Sequence, residues 1–238
     1  MSHKITCKIL GLNDNLHGTL KLLVTEETVR AFHPDFIVGI GGSAGSLCAI
    51  KALFEALPID TGAAFIVVTH LKPNSSSLLD LIIARHTQMA VIVASTGMRV
   101  KANCVYVIPP NADLSIDGYT LNIVSPPHRI SRQVDCFFTS LAESKGTHAV
   151  GIILSGYCHD GTEGCRHIKA RGGMIFAQDT SAEVSSMPLS AQASGCVNSV
   201  LPPDKMPVEL LKLFQPFHEN SYHYDSLGRF VSVWANDR

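Results

Sequence analysis

From residue 36 onward, short apolar runs alternate with stretches whose apolar positions recur every three or four residues. The runs at 36–40, 63–69 and 149–154 are almost wholly apolar, as in strands covered on both faces. After the first run, Leu47, Ile50, Leu53, Phe54 and Leu57 mark a helix that Pro58 closes. Leu78, Leu79, Leu81, Ile82 and Ile83 mark a second, with Ser75, Ser76 and Ser77 available as N-caps. A third centres on Val134, Phe137, Phe138 and Leu141. Further strands are predicted at 90–94 and 174–177, with a short one closing at Val200. Helices are predicted from near Gly161, from Met187-Pro188 to near Gly195, and over 207–217. Asp117-Gly118 lies between strand-like stretches at 105–108 and 119–124 and signals a hairpin, expected to add antiparallel strands at one edge. Together the pattern predicts a doubly wound α/β domain, with a mainly parallel sheet between two layers of helices.

Residues 1–34 read as a leader without a domain of its own, 35–218 as one domain, and 219–238 as a polar tail. A chain of 238 residues, 46% apolar and 16% charged, can bury one substantial core. A net charge of −1 with scattered Lys and Arg argues against a nucleic-acid-binding face. No run reaches the roughly eighteen apolar residues of a membrane span, and the first residues lack a signal peptide's apolar core. A cytoplasmic protein without membrane insertion is therefore expected. The seven cysteines form no C-x-x-C pair, and Cys48, Cys136 and Cys165 fall in helical patterns as expected buried thiols. Cys158, His159, Cys165 and His167 lack a zinc-ligand spacing, so neither metal nor cofactor is implied.

The chemistry gathers at Ile37-Val38-Gly39-Ile40-Gly41-Gly42-Ser43-Ala44-Gly45, where a strand runs through small residues into a helix. Three readings compete for this turn. As a dinucleotide fingerprint it is poor, because Gly39-x-Gly41-x-x-Ala44 misses the last glycine and the next strand ends in His70, not an acid. As G-x-S-x-G it matches over 41–45, which would present the Ser43 hydroxyl beside a helix N-terminus. The third reading is a structural turn without chemistry.

Topology supplies an independent test, because sites in open α/β sheets gather at the carboxyl ends of strands. Ser43 follows the first strand, His70 the second, and Asp160 the run at 149–154. A nucleophile, a base and an orienting acid thus fall at one end of one sheet. Their order, Ser-His-Asp, differs from the Ser-Asp-His order of the α/β-hydrolases, so a convergent triad on another doubly wound sheet fits. Each residue also has a plainer role: His70 as an ordinary strand-end histidine, Asp160 as the N-cap of the helix after Gly161.

Seven segments in order carry a resemblance. They are 37–45, Val67-Val68-Thr69-His70-Leu71, Val105-Tyr106-Val107-Ile108-Pro109-Pro110, Gly151-Ile152-Ile153-Leu154-Ser155-Gly156, Asp160-Gly161-Thr162-Glu163-Gly164, Ala177-Gln178-Asp179 and Met187-Pro188. Over about residues 36–205 the chain resembles the catalytic domain of CheB, the chemotaxis protein-glutamate methylesterases, and most of all the form fused with CheR-type methyltransferases. The resemblance implies hydrolysis of glutamate methyl esters on chemoreceptor helices, with glutamine deamidation as a second activity. It places the family's serine, histidine and aspartate on Ser43, His70 and Asp160. The family's usual receiver domain does not fit in residues 1–34, so any regulator is expected to act in trans. Two alternatives stay open: a partner-binding module without turnover, suggested by the bulky Tyr157-Cys158-His159 loop, and a generic small-ester hydrolase.

Overall fold

The computed structural model describes residues 33–70, 78–127, 132–214, 222–224 and 230–232. Seven parallel strands form the central sheet: β1 Ile37–Gly42, β2 Ala64–Thr69, β3 Ala90–Val93, β4 Cys104–Val107, β7 Ala149–Ile153, β8 Met174–Gln178 and β9 Ser199–Leu201. Their spatial order is β3-β4-β2-β1-β7-β8-β9. β1, β2 and β7 are buried along their whole length, in keeping with their uninterrupted apolar character.

Helices cover both faces. One face is packed by α1 (Ser46–Ala56), α2 (Leu79–Ile83) and α6 (Met206–Phe214), whose Leu53, Phe54, Ile83, Leu210 and Phe214 meet Val38, Ile40, Phe65 and Val67. The other is packed by α3 (Gln133–Lys145), α4 (Thr162–Ala170) and α5 (Ser186–Ala193), whose Phe137, Phe138, Ile168 and Met187 meet Ile37, Ile66, Val68 and Ile153. No helix among the described residues is long and apolar enough to cross a membrane.

The doubly wound α/β class is the observed one. The hairpin differs in detail: its arms are β5 (Asp113–Asp117) and β6 (Thr120–Val124), paired antiparallel in a sheet of their own. The run at 105–108 is instead parallel strand β4, and Leu114, Ile116 and Leu121 of the hairpin pack into the α3 face of the core. The leader, apart from 33 and 34, and the serine caps at 75–77 lie outside the described residues, as does most of the tail. Within the tail, β10 (Tyr222–Tyr224) pairs antiparallel with β11 (Phe230–Ser232). The expectation of buried thiols holds for Cys165 alone of the three: Cys48 and Cys136 are exposed. Burial pushes the Cys165 thiol far up, leaving it a small apolar group in the core.

β1 lies between β2 and β7, so the chain reverses its winding direction there. Such a switch point opens a crevice at the carboxyl ends of the strands, because helices leave it on opposite faces. The glycines of β1 serve this geometry by close packing. A Cβ on Gly41 would lie 2.4 Å from Val134 Cγ1, and one on Gly39 would lie 2.8 Å from Phe138 Cε1. Their lack of a side chain brings the start of α3 down onto the end of β1.

Candidate active site

Parallel register sets the first pair. Gly42 of β1 stands beside Thr69 of β2, so Ser43 and His70 are each the next residue beyond a matched position. Adjacent strands lie about 4.8 Å apart, which makes the two residues neighbours. Among the described residues no hydrogen bond joins their side chains. Ser43 is half-buried in a tight turn: Gly45 takes φ +75°, and the Ser43 carbonyl accepts the Ser46 N–H at 3.1 Å and the Ser46 hydroxyl at 2.6 Å. A left-handed φ is strained for any residue with a Cβ, hence glycine there.

His70 Nε2 lies 2.6 Å from Asp160 Oδ2. The aspartate side chain is fully buried and the imidazole is 18% exposed. Burying a carboxylate is costly unless donors surround it, and α3 supplies them. Val134 N–H donates to Asp160 Oδ2 at 3.0 Å, and Asp135 N–H donates to Asp160 Oδ1 at 3.0 Å. These N–H groups belong to the first turn of α3, which has no earlier carbonyls to bind and carries the positive end of the helix dipole. Asp160 is therefore a cap, but of α3; the N-cap of the following helix α4 is Gly161.

The loop after β7 closes the arrangement around the serine. Ser43 N–H donates to the Ser155 carbonyl at 2.9 Å. Buried Ser155 donates through its hydroxyl to the Ala44 carbonyl at 2.8 Å and accepts the Val184 N–H at 2.9 Å, while its own N–H donates to Gln178 Oε1 at 2.9 Å. A Cβ on Gly156 would fall 3.0 Å from Ser43 Cβ and 2.1 Å from Met187 Sδ, so α5 also abuts the serine turn. Tyr157, Cys158 and His159 point outward as exposed residues, with Tyr157 66% exposed and Cys158 at φ +65°. A cleft of about 550 Å³ opens next to Asp160, lined by Arg132, Asp135, His159, Thr162, Glu163 and Arg166. Neither Ser43 nor His70 lines it.

This arrangement is a hydroxyl beside an imidazole that is bonded to a buried carboxylate, at the switch point of a parallel sheet. Residues 38–210 match the family model described as CheB methylesterase. The chain belongs to the CheB methylesterase family. Among curated relatives, the protein-glutamate methylesterase/protein-glutamine glutaminase 3 of Burkholderia orbicola is 33% identical over 181 residues, 74% of this chain and 53% of that protein. The protein of the same name from Burkholderia thailandensis is 35% identical over 187 residues, 74% of this chain and 51% of that protein. The chain thus spans about half the length of these two CheB relatives. The crystal structure of the Thermotoga maritima CheB methylesterase catalytic domain superposes with a TM-score of 0.69 at 29% identity, covering 75% of this chain and 98% of that one.

Several residues of the site escape a reading of the sequence. Ser155 and Gln178 each end a buried strand run with a polar side chain, a visible signal whose partner is not visible. Asp135 looks like one more acid in a helical first turn, yet it is buried and faces Asp160 and α4. Ser46 stands at a helix start, where serine is ordinary.

Proposed function

We propose that this chain is a carboxylic ester hydrolase that removes methyl groups from glutamate side chains, with Ser43 as nucleophile, His70 as base and Asp160 as the orienting acid. The observation that carries this reading is the alignment of Gly42 with Thr69, which puts Ser43 beside His70, combined with the 2.6 Å His70–Asp160 bond. Because Nε2 is the nitrogen on Asp160, the neutral ring carries its proton there and Nδ1 holds the lone pair. Nδ1 then takes the Ser43 proton as Oγ attacks the ester carbonyl carbon. Asp160, held by two N–H donors, stabilises the imidazolium so formed.

The resulting oxyanion needs N–H donors. Ser43's own N–H is committed to Ser155, whereas among the described residues the Ala44 N–H has no backbone acceptor. Ala44 N–H, on the residue after the nucleophile, is the donor we assign. Collapse returns the proton from Nδ1 to the departing methoxide, and methanol leaves. A water then attacks the acyl-serine, gives its proton to Nδ1, and the serine is released with a free glutamate. With a glutamine substrate the same steps expel ammonia, in line with the glutaminase activity named for the relatives.

The substrates proposed are methylated cytoplasmic helices of chemoreceptor-type signalling proteins, met in the cytoplasm by a domain spanning about residues 35–218. The test is methanol release from a methylated chemoreceptor cytoplasmic fragment, followed against the same fragment left unmethylated. Release from the methylated fragment alone supports the reading. Hydrolysis of small acetate esters with no methanol from the fragment would leave a generic esterase in its place.

A further inference from the structure

Asp135 and Asp160 bind each other's helices. Asp160, two residues before α4, accepts the Val134 and Asp135 N–H groups of the first turn of α3. Asp135, in that first turn, accepts through Oδ1 the Gly164 N–H of the first turn of α4 at 2.9 Å. Two buried carboxylates therefore share one joint, and the peptide of Asp135 is one of the donors that hold Asp160. The helices approach closely enough at this joint that a Cβ on Gly164 would fall 2.4 Å from Phe138 Cβ and 3.3 Å from the Asp135 Cα.

The joint forms in spite of its electrostatics. Burial pushes the Asp135 carboxyl up, the Gly164 N–H pulls it back down, and the neighbouring charge of Asp160 pushes it up again. An acid whose charged form is disfavoured is a poor choice for helix stability alone. It is a good choice where its oxygens must fix one donor-rich turn against another.

We propose that Asp135 is a positioning residue for the hydrolysis: by clasping the start of α4 to the start of α3 it holds the Asp160 carboxylate on His70 Nε2. The inference rests on the triad reading above. Asp135 touches neither His70 nor the substrate carbonyl in this role. It acts through Asp160, and a shift of the carboxylate by a fraction of an ångström loosens the orientation of the imidazole.

The test compares Asp135→Ala and Asp135→Asn with wild type, in two measurements on the full chain. One is steady-state methanol release from a methylated receptor fragment. The other is the NMR resonance of the His70 Nε2–H proton, which a 2.6 Å bond to a carboxylate moves far downfield and which reports with or without turnover. Asp135→Ala is expected to lower kcat by ~10- to 100-fold with KM within about twofold, and to move the resonance upfield or broaden it. Asp135→Asn keeps an acceptor oxygen for the Gly164 N–H but brings an uncharged amide with N–H groups into the joint, so it is expected to recover part of the rate and of the resonance. If the alanine variant does not fold, the asparagine variant must still lose at least about threefold in kcat. A wild-type rate with an unmoved resonance in either folded variant overturns the inference. A moved resonance in a protein whose hydrolysis survives Ser43→Ala would retire the triad reading and leave the clasp standing.

Discussion

His70 Nε2 stands 2.6 Å from Asp160 Oδ2, and that same oxygen takes the Val134 N–H at 3.0 Å. One carboxylate thus contacts the imidazole and caps the first turn of a helix. Asp160→Asn should damage both. Its amide presents N–H groups where the carboxylate offered lone pairs, which selects the wrong imidazole tautomer. A rate loss of ~10³-fold or more is expected, with a stability loss of about 1–3 kcal/mol from the N–H groups left unpaired. Methanol release and urea unfolding of the variant check the two effects separately.

A neutral imidazole is required to take a proton from a serine. His70→Gln, which keeps a polar side chain but cannot act as that base, should therefore lower the rate by ~10³-fold or more, and a rate within about tenfold of wild type would exclude His70 as the base. The check is methanol release by the folded variant.

Much of this site can be read in the sequence, for identifiable reasons. Strands β1, β2 and β7 announce themselves because each is buried on both faces, and the residue after a strand in a parallel sheet falls at its carboxyl end. That places Ser43, His70 and Asp160 together before any coordinates are known. What stays hidden is long-range. Asp160 reads locally as a cap for the helix that follows, and its true partners, Val134 and Asp135, precede it by 26 and 25 residues. Gly39 and Gly41 suggest a nucleotide turn, whereas their contacts show that they admit Phe138 and Val134 of α3. The strand at 105–108 was expected to lead into the Asp117-Gly118 hairpin because it precedes it. The arm is instead 113–117, whose polar ends, Asp113 and Asp117, mask its alternation.

The helix joint gives a packing test. Gly164→Ala would place its Cβ 2.4 Å from Phe138 Cβ, a contact that only backbone movement can relieve. A destabilisation of about 1–3 kcal/mol is expected, more than the helix propensity of alanine returns. A variant as stable as wild type in thermal unfolding would mean that α3 and α4 are not so closely joined.

Asp135 also makes stability depend on pH. Its folded carboxyl titrates above the ordinary carboxylate range because of burial, so the folded state binds a proton more readily than the unfolded chain. Its contribution to stability falls as the pH rises through the folded value and is restored below the unfolded one. Asp135→Asn removes that dependence. Its stability relative to wild type should be highest at neutral pH and decline towards about pH 4. Melting temperatures of both proteins across that range are the check.

Tyr157 lies two-thirds in solvent just before the Asp160 turn. With the side chain so exposed, Tyr157→Phe should leave the methanol-release rate within about twofold. A fall approaching ~10²-fold would put the phenol in the oxyanion site with substrate bound.

The central claim is that Ser43 is a nucleophile made reactive by His70. Mass spectrometry of the protein after treatment with a fluorophosphonate tests it most directly. Wild type should gain one adduct, mapped to the peptide containing Ser43, while Ser43→Ala gains none and His70→Ala reacts at least ~10³-fold more slowly. No adduct on folded wild type, or an adduct on Ser43 that forms as fast without His70, would contradict it.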